Sequence, residues 1–351
     1  MIKMTRETPY FKEKEKTIEV GPKKISELLD NMKDTGFQGR RLGEVVEAWE
    51  EMIKDEDIVI MMGLAGSMST TGMWKIVRWL IENRYIDVLV STGANISEDI
   101  YEAMGFTYWK GEPIVDDADL LKHKIDRFYD VYADELDYRK MEHLIMDFMD
   151  TLPTDYAYSS ADFLYLFGKW LSEKNINSIV AAAYKNGVPV FSPALIDSGY
   201  GVAAFELYYT KKKKIILDQV KDYLQLVDIG MKAKETGVVY IGGGVPKDTI
   251  NLVAATVNLV EEEILKKKEL RPHRYAIQIT TDAPQWGGLS GATFEEAISW
   301  GKVDAEGKKV VVYVDATIAL PLVAHALYER LGNKKRKKKD LSWIYENLPE
   351  I

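Results

Sequence analysis

Apolar residues recur at helical spacing early in the chain, at Ile25, Leu28, Leu29 and Met32 and then at Val45, Val46, Trp49 and Ile53. That period predicts two amphipathic N-terminal helices. Beyond them the pattern changes to short β-branched runs. Ile58-Val59-Ile60, Val88-Leu89-Val90, Val188-Pro189-Val190, Val238-Val239-Tyr240, Ile277-Gln278-Ile279 and Val310 to Val314 predict strands buried on both faces. Helical stretches lie between them, among them Met73 to Glu82, Ala161 to Glu173, Ile215 to Lys234 and Thr249 to Leu265. The alternation predicts an α/β fold, a doubly wound parallel sheet of Rossmann-like type with helices on both faces. Residues Trp109 to Pro153 lack this rhythm and read as an insertion over the sheet edge or an oligomer contact. Residues 1–20 read as a mobile arm, 21–333 as a single α/β domain and 334–351 as a basic tail.

Composition narrows the chemistry. A length of 351 residues suits one large α/β domain, and a formal charge of -9 argues against a general nucleic-acid binder. The basic runs at 211–214, 266–268 and 334–339 read as solvated helix ends or tail. There is no cysteine, which excludes disulfides, thiolate zinc sites and cysteine nucleophiles. His123, His143, His273 and His325 show no metal-ligand spacing. The start MIKMTRETPYFKEKEK is polar, and no apolar run is long enough to span a membrane, so a cytoplasmic protein is expected.

Several predicted strands end in small residues, where an open α/β sheet binds ligands. Ile60 leads into Gly63-Leu64-Ala65-Gly66-Ser67, Val90 into Ser91-Thr92-Gly93-Ala94-Asn95, and Tyr240 into Gly242-Gly243-Gly244-Val245. Glycine admits a phosphate or ring to the backbone, and a following helix offers free N–H groups. Tight turning explains any one of these equally well; three at successive strand ends point to a nucleotide cofactor. Asp315 is placed to receive ribose hydroxyls or, alternatively, to cap a helix before Ile318. Thr281 to Gly291 is too rich in glycine for a helix, and Thr293 with Glu296 then forms a capping box for a short helix ending at Gly301. Lys302 follows directly. Beside the aromatic wall of Trp300 its ammonium is disfavoured, which suits a nucleophilic, Schiff-base-forming amine. A lysine after a helix also complements the helix dipole, and chemistry alone leaves both readings open.

Ser299-Trp300-Gly301-Lys302, with Glu296 before it and Val312-Tyr313-Val314-Asp315-Ala316 after it, resembles the carrier-lysine motif of deoxyhypusine synthases. The resemblance extends through Gly36-Phe37-Gln38, Leu42-Gly43, the stretch from Asp87 to Asp99, Pro193-Ala194-Leu195-Ile196-Asp197 and Gly242 to Lys247. It implies an NAD-dependent transferase that moves an aminobutyl group from a polyamine such as spermidine, through an imine on Lys302, to an acceptor amine. Trp300 would wall the amine channel and Glu296 would bind a terminal ammonium. Ser67, Thr92, Glu98, Asp197, Gly243, Gly244, Thr281 and Asp315 would line NAD. The family further implies a homotetramer with sites at subunit interfaces, and a translation factor as protein acceptor.

Three departures concern the amine half. Val202 and Leu289 stand where the resemblance calls for acids, and Thr249 where it calls for a histidine; Ser91 to Asn95 also differs from the family's Thr-Thr-Ala-Gly-Gly. An acid replaced by an apolar residue at a buried site costs a cationic substrate about 2–5 kcal/mol. Asp282, Glu295 and Asp248 are the nearby acids available as replacements, or plain solvent-facing acids. The pattern resembles the deoxyhypusine synthase-like branch, with a small-amine acceptor and a homospermidine-type product. The alternatives are authentic deoxyhypusine synthesis and an inactive NAD- or metabolite-binding relative.

Overall fold

The computed structural model describes residues 10, 12–267, 270–346, 348 and 349. Much of the expected arm (1–9 and 11), Lys268 and residues 347, 350 and 351 lie outside the described residues.

Six strands form the main sheet: β1 (Ile58–Leu64), β2 (Val88–Ser91), β3 (Val190–Phe191), β4 (Glu235–Ile241), β5 (His273–Thr280) and β6 (Val303–Tyr313). Their spatial order is β6-β5-β4-β1-β2-β3, and every neighbouring pair is parallel. The chain leaves β1 toward one edge and β4 toward the other. The switch point of this doubly wound sheet therefore falls between β1 and β4.

β1 shows why these segments read as apolar runs rather than as alternating strands. Ile58, Ile60, Met62 and Leu64 face a core built with helices Phe37–Lys54 and Ala316–Leu331. Val59 and Met61 face a second core with Gln219–Lys232 and Gly244–Leu259. Both faces are covered, so both need apolar side chains. The N-terminal helices Ile25–Lys33 and Phe37–Lys54 form as expected, burying Leu29, Val45, Val46 and Trp49, though Leu28 stays exposed. Among the described residues no helix is long and apolar enough to cross a membrane.

Several boundaries differ from the sequence reading. The helix expected from Ile215 starts at Gln219, because Asp218 caps it through the Lys221 N–H; Ile216–Leu217 instead pairs with Ala157–Tyr158. The helix expected from Thr249 starts at Gly244, with Pro246 in its first turn, where a missing N–H costs little, and passes into a π turn at Val260–Ile264. The third strand is Val190–Phe191, shifted past Pro189. β6 begins at Val303, well before Val310. The stretch from Trp109 to Pro153 holds a small antiparallel sheet (Trp109–Lys110, Val131–Asp134, Ile125–Phe128) and a 17-residue helix, Glu135–Thr151. The 334–339 run is not wholly solvated: Arg336 is buried, pairs with Asp87 at 2.6 Å and donates to the carbonyls of Ile53, Asp55 and Ile58.

Candidate active site

The residues expected to line a cofactor occupy the carboxyl ends of the strands in spatial order. Asp315 follows β6, Thr281 β5, Gly243 and Gly244 β4, Ser67 β1, Thr92 β2 and Asp197 β3. Val314 N donates to Thr280 O at 3.0 Å, which sets Asp315 beside Thr281 at one edge. Asp315 caps the Ala316–Leu331 helix through the Thr317 N–H at 2.8 Å, so the capping reading holds.

Around β1 and β2 the organiser is Asn95, which the sequence reading noted only as the last residue of a strand-end run that departs from the family pattern. Its Oδ1 accepts from Met68 N at 2.6 Å; its Nδ2 donates to Thr92 Oγ1 at 2.8 Å and to Gly66 O at 3.0 Å. Thr92 Oγ1 donates to Gly66 O at 2.8 Å. Ser67 Oγ reaches back to Glu98, and Tyr138 donates to the same carboxyl at 3.4 Å. Ser67, Thr92 and Glu98 are thus brought together. Burial pushes the Glu98 carboxyl up to about 7, against the opposing pull of Ser67 and Tyr138. Thr92 leaves the first turn of the Gly93–Ala103 helix without a side-chain cap, and Gly66 and Gly244 both have positive φ and open space where a Cβ would be. Open glycines beside an uncapped helix start fit a dinucleotide's phosphates.

The loop before Lys302 is latched to the β4 turn. A Cβ on Gly243 would lie 2.4 Å from Ser290 Cα, so this glycine is required by loop packing. Ser290 Oγ accepts from Gly244 N at 2.9 Å. Lys247, buried beneath, donates to Gln278 Oε1 at 2.9 Å, Ala292 O at 2.5 Å and Ser290 O at 3.4 Å. Three acceptors match the three protons of an ammonium. Burial nevertheless pushes Lys247 down to about 8, against Glu296, Asp248 and Asp282 and helped by the charge of Lys302. Lys247 was read only as part of a motif; its place directly after Pro246 in a strand-end helix was the available signal.

Lys302 does not sit on the cofactor rim. Its carbonyl accepts from His273 N at the start of β5 (2.9 Å), and Gly301 O accepts from Asn258 at 2.7 Å. Its backbone is therefore at the amino ends of the strands. Yet Nζ lies 3.9 Å from Oδ1 of Asp248, ten residues before Asn258 and so about 15 Å up the same helix. The side chain runs beneath the strand-end loops, is 14% exposed, and stands 5.1 Å from the Trp300 ring. A ring facing an amine at this range attracts a cation, contrary to the expectation that this wall disfavours the ammonium.

The other expected amine contacts divide. Glu296 completes the capping box, accepting from Thr293 N at 2.7 Å, and Trp300 is exposed. Val202 and Leu289 are exposed, as are Asp282 and Glu295. Of the acids named as replacements, Asp248 is the one that meets Lys302; Thr249, its neighbour, does not.

Comparison with known proteins places the chain in a family. A family model described as deoxyhypusine synthase matches residues 27–327. A Methanosarcina mazei protein named probable deoxyhypusine synthase 2 is 45% identical over 93% of this chain and 93% of its own. A deoxyhypusine synthase-like protein of Chlorobaculum tepidum is 36% identical over 97% and 96%. In fold, the chain resembles an Entamoeba histolytica crystal structure assigned to deoxyhypusine synthase, with a TM-score of 0.61 at 18% identity, covering 90% of this chain and 95% of that one. The match spans both the strand-end row and the latched loop leading to Lys302, and the chain belongs to the deoxyhypusine synthase family.

Proposed function

We propose that this chain is an NAD-dependent aminobutyl transferase that carries the group as an imine on Lys302 and delivers it to a small amine, giving a homospermidine-type product. The observation that carries the reading is the placement of Lys302, a nearly buried amine against Trp300 and Asp248 beneath a complete row of cofactor-suited strand ends. NAD, when bound, would supply the hydride acceptor and donor. Asp315 and Thr281 at one edge, Gly244 and Gly66 at the switch point, and Thr92, Glu98 and Asp197 toward the other edge would hold it. Lys302 would take the aminobutyl group from a polyamine such as spermidine, with 1,3-diaminopropane as the departing amine. The enclosing side chains would keep water from hydrolysing the imine.

Val202 and Leu289, both exposed, stand in place of the family's amine-binding acids, and this rebuilt amine side favours a small-amine acceptor. The names of the relatives favour a second reading, in which the acceptor is a lysine of the translation factor. Exposed Ile196, Val202, Phe205 and Tyr209 border the β3 end of the row and suit burial against further copies, as in a homotetramer acting in the cytoplasm.

The test is borohydride trapping in the presence of NAD and spermidine, read by intact mass and peptide mapping. An aminobutyl adduct on Lys302 is expected. Lys302→Ala should abolish trapping and turnover while leaving NAD binding within about twofold. Unchanged turnover in that variant would remove the carrier role. Adding putrescine or the translation factor together with radiolabelled spermidine then decides between the two acceptors by where the label goes.

A further inference from the structure

We propose that Asp248 is the proton acceptor and donor for Lys302 during imine exchange, an assignment that rests on the carrier reading above. Among the described residues it is the one carboxylate within 4.0 Å of the Lys302 nitrogen, at 3.9 Å. It projects from the second turn of the Gly244–Leu259 helix, which its neighbours Lys247 and Ile250 bury firmly against the sheet. Its own carboxyl stays one-third exposed, so it can exchange protons with solvent. Catalytic contacts are often long before substrate arrives, so 3.9 Å in the unliganded chain is compatible with proton transfer. The other acids nearby are less suited: Glu296 is held in its capping box and Asp282 is exposed on the loop.

Lys302 reaches its reactive form only by losing a proton. The Asp248 carboxylate takes it, and the neutral nitrogen forms a bond to the imine carbon of the polyamine fragment. The bond from that carbon to the departing amine then breaks. Across the exchange the Lys302 nitrogen gives up two protons and the departing nitrogen gains two, with Asp248 relaying them. One C–N bond replaces another, and nothing is oxidised or reduced. The charged or titratable groups facing this pair are Lys247 on the same helix, Tyr240 on β4, Asp282 after β5 and Glu296 on the Phe294–Ser299 helix.

An aldehyde separates this role from simple ion pairing without NAD or a polyamine. The full-length protein is treated with butanal and cyanoborohydride between pH 6 and 9, and the rate of modification at Lys302 is followed by peptide mass. A carboxylate that only pairs with the ammonium holds it protonated, so Asp248→Asn would leave modification equal or faster. As proton acceptor, its loss slows modification about a hundredfold across that pH range. Asp248→Ala gives a second reading: formate should restore its rate in proportion to concentration, which a merely structural role cannot do. Equal or faster modification in Asp248→Asn, or no formate rescue, overturns the assignment. If the variants slow as expected but wild-type protein transfers no aminobutyl group from spermidine, the transferase reading fails and the Asp248–Lys302 pair stands.

Discussion

Lys247 is a buried cation whose protons are all spoken for, and its three acceptors belong to β5 and the loop that leads to Lys302. Replacing it with methionine keeps much of the volume but strands Gln278 Oε1 and the Ala292 carbonyl, while Ser290 O keeps its bond from Gln278 Nε2. Each such acceptor costs about 1–3 kcal/mol when left unsatisfied. Lys247→Met should therefore lower the denaturation midpoint and raise hydrogen exchange across 284–293, while borohydride adducts still map to Lys302. Unchanged exchange in that loop would show that the latch is held by Ser290 and Gly243 alone. The two lysines illustrate how burial and partners assign opposite roles to one residue type: Lys247 is fixed by three oxygens, whereas Lys302 keeps a single carboxylate and an aromatic face.

At the level of elements, one amide side chain makes the most bonds within the β1 turn. Asn95→Ala removes the bonds that join Met68, Gly66 and Thr92 and leaves their groups to find other partners. NAD affinity should fall at least tenfold by calorimetric titration, with a smaller loss of thermal stability; affinity within twofold of wild type would mean the turn keeps its shape without Asn95. The strands were legible in the sequence because a sheet covered on both faces selects unbroken apolar runs. The helix starts were less legible. Gln219 begins its helix where Asp218 caps it, and Gly244 begins one directly from a strand, with no apolar period to mark it. The Lys302 environment was legible as a motif but not as geometry. Register between β5 and β6 shifts between His273 and Tyr275, and no local pattern announces that β6 starts at Val303, which puts the Lys302 backbone at the far end of the sheet from the glycine-rich strand-end loops. Asp248 could not be told from an exposed acid until the side chain of Lys302 was seen to run toward it.

For the molecule as a whole, buried acids set the pH response. Glu98, Asp99 and Asp222 are each pushed up to about 7, foremost by burial. An unfolded carboxyl titrates near 4. Between those values the folded protein holds more protons than the unfolded chain, so stability is fullest below about 4 for these groups and falls as pH rises toward 7. The urea midpoint should accordingly be lower at pH 8 than at pH 5. Asp99→Asn should flatten that slope, since Asp99 is wholly buried with one oxygen unpartnered. A midpoint that rises from pH 5 to pH 8 in wild type would contradict the assignment.

Arg336 gives the order of synthesis a physical meaning. Asp87 lies directly before β2 and is buried with Arg336 as its cation, and burial alone pushes its carboxyl up. The same guanidinium closes carbonyls at the end of the Phe37–Lys54 helix and the start of β1. The central strands are thus among the early parts of the chain to leave the ribosome, yet their buried charge has no counterpart until some 250 further residues have been made. A chain that paired β1 with β2 before Arg336 was made would bury Asp87 without its cation, which favours the protonated carboxyl until that arginine arrives.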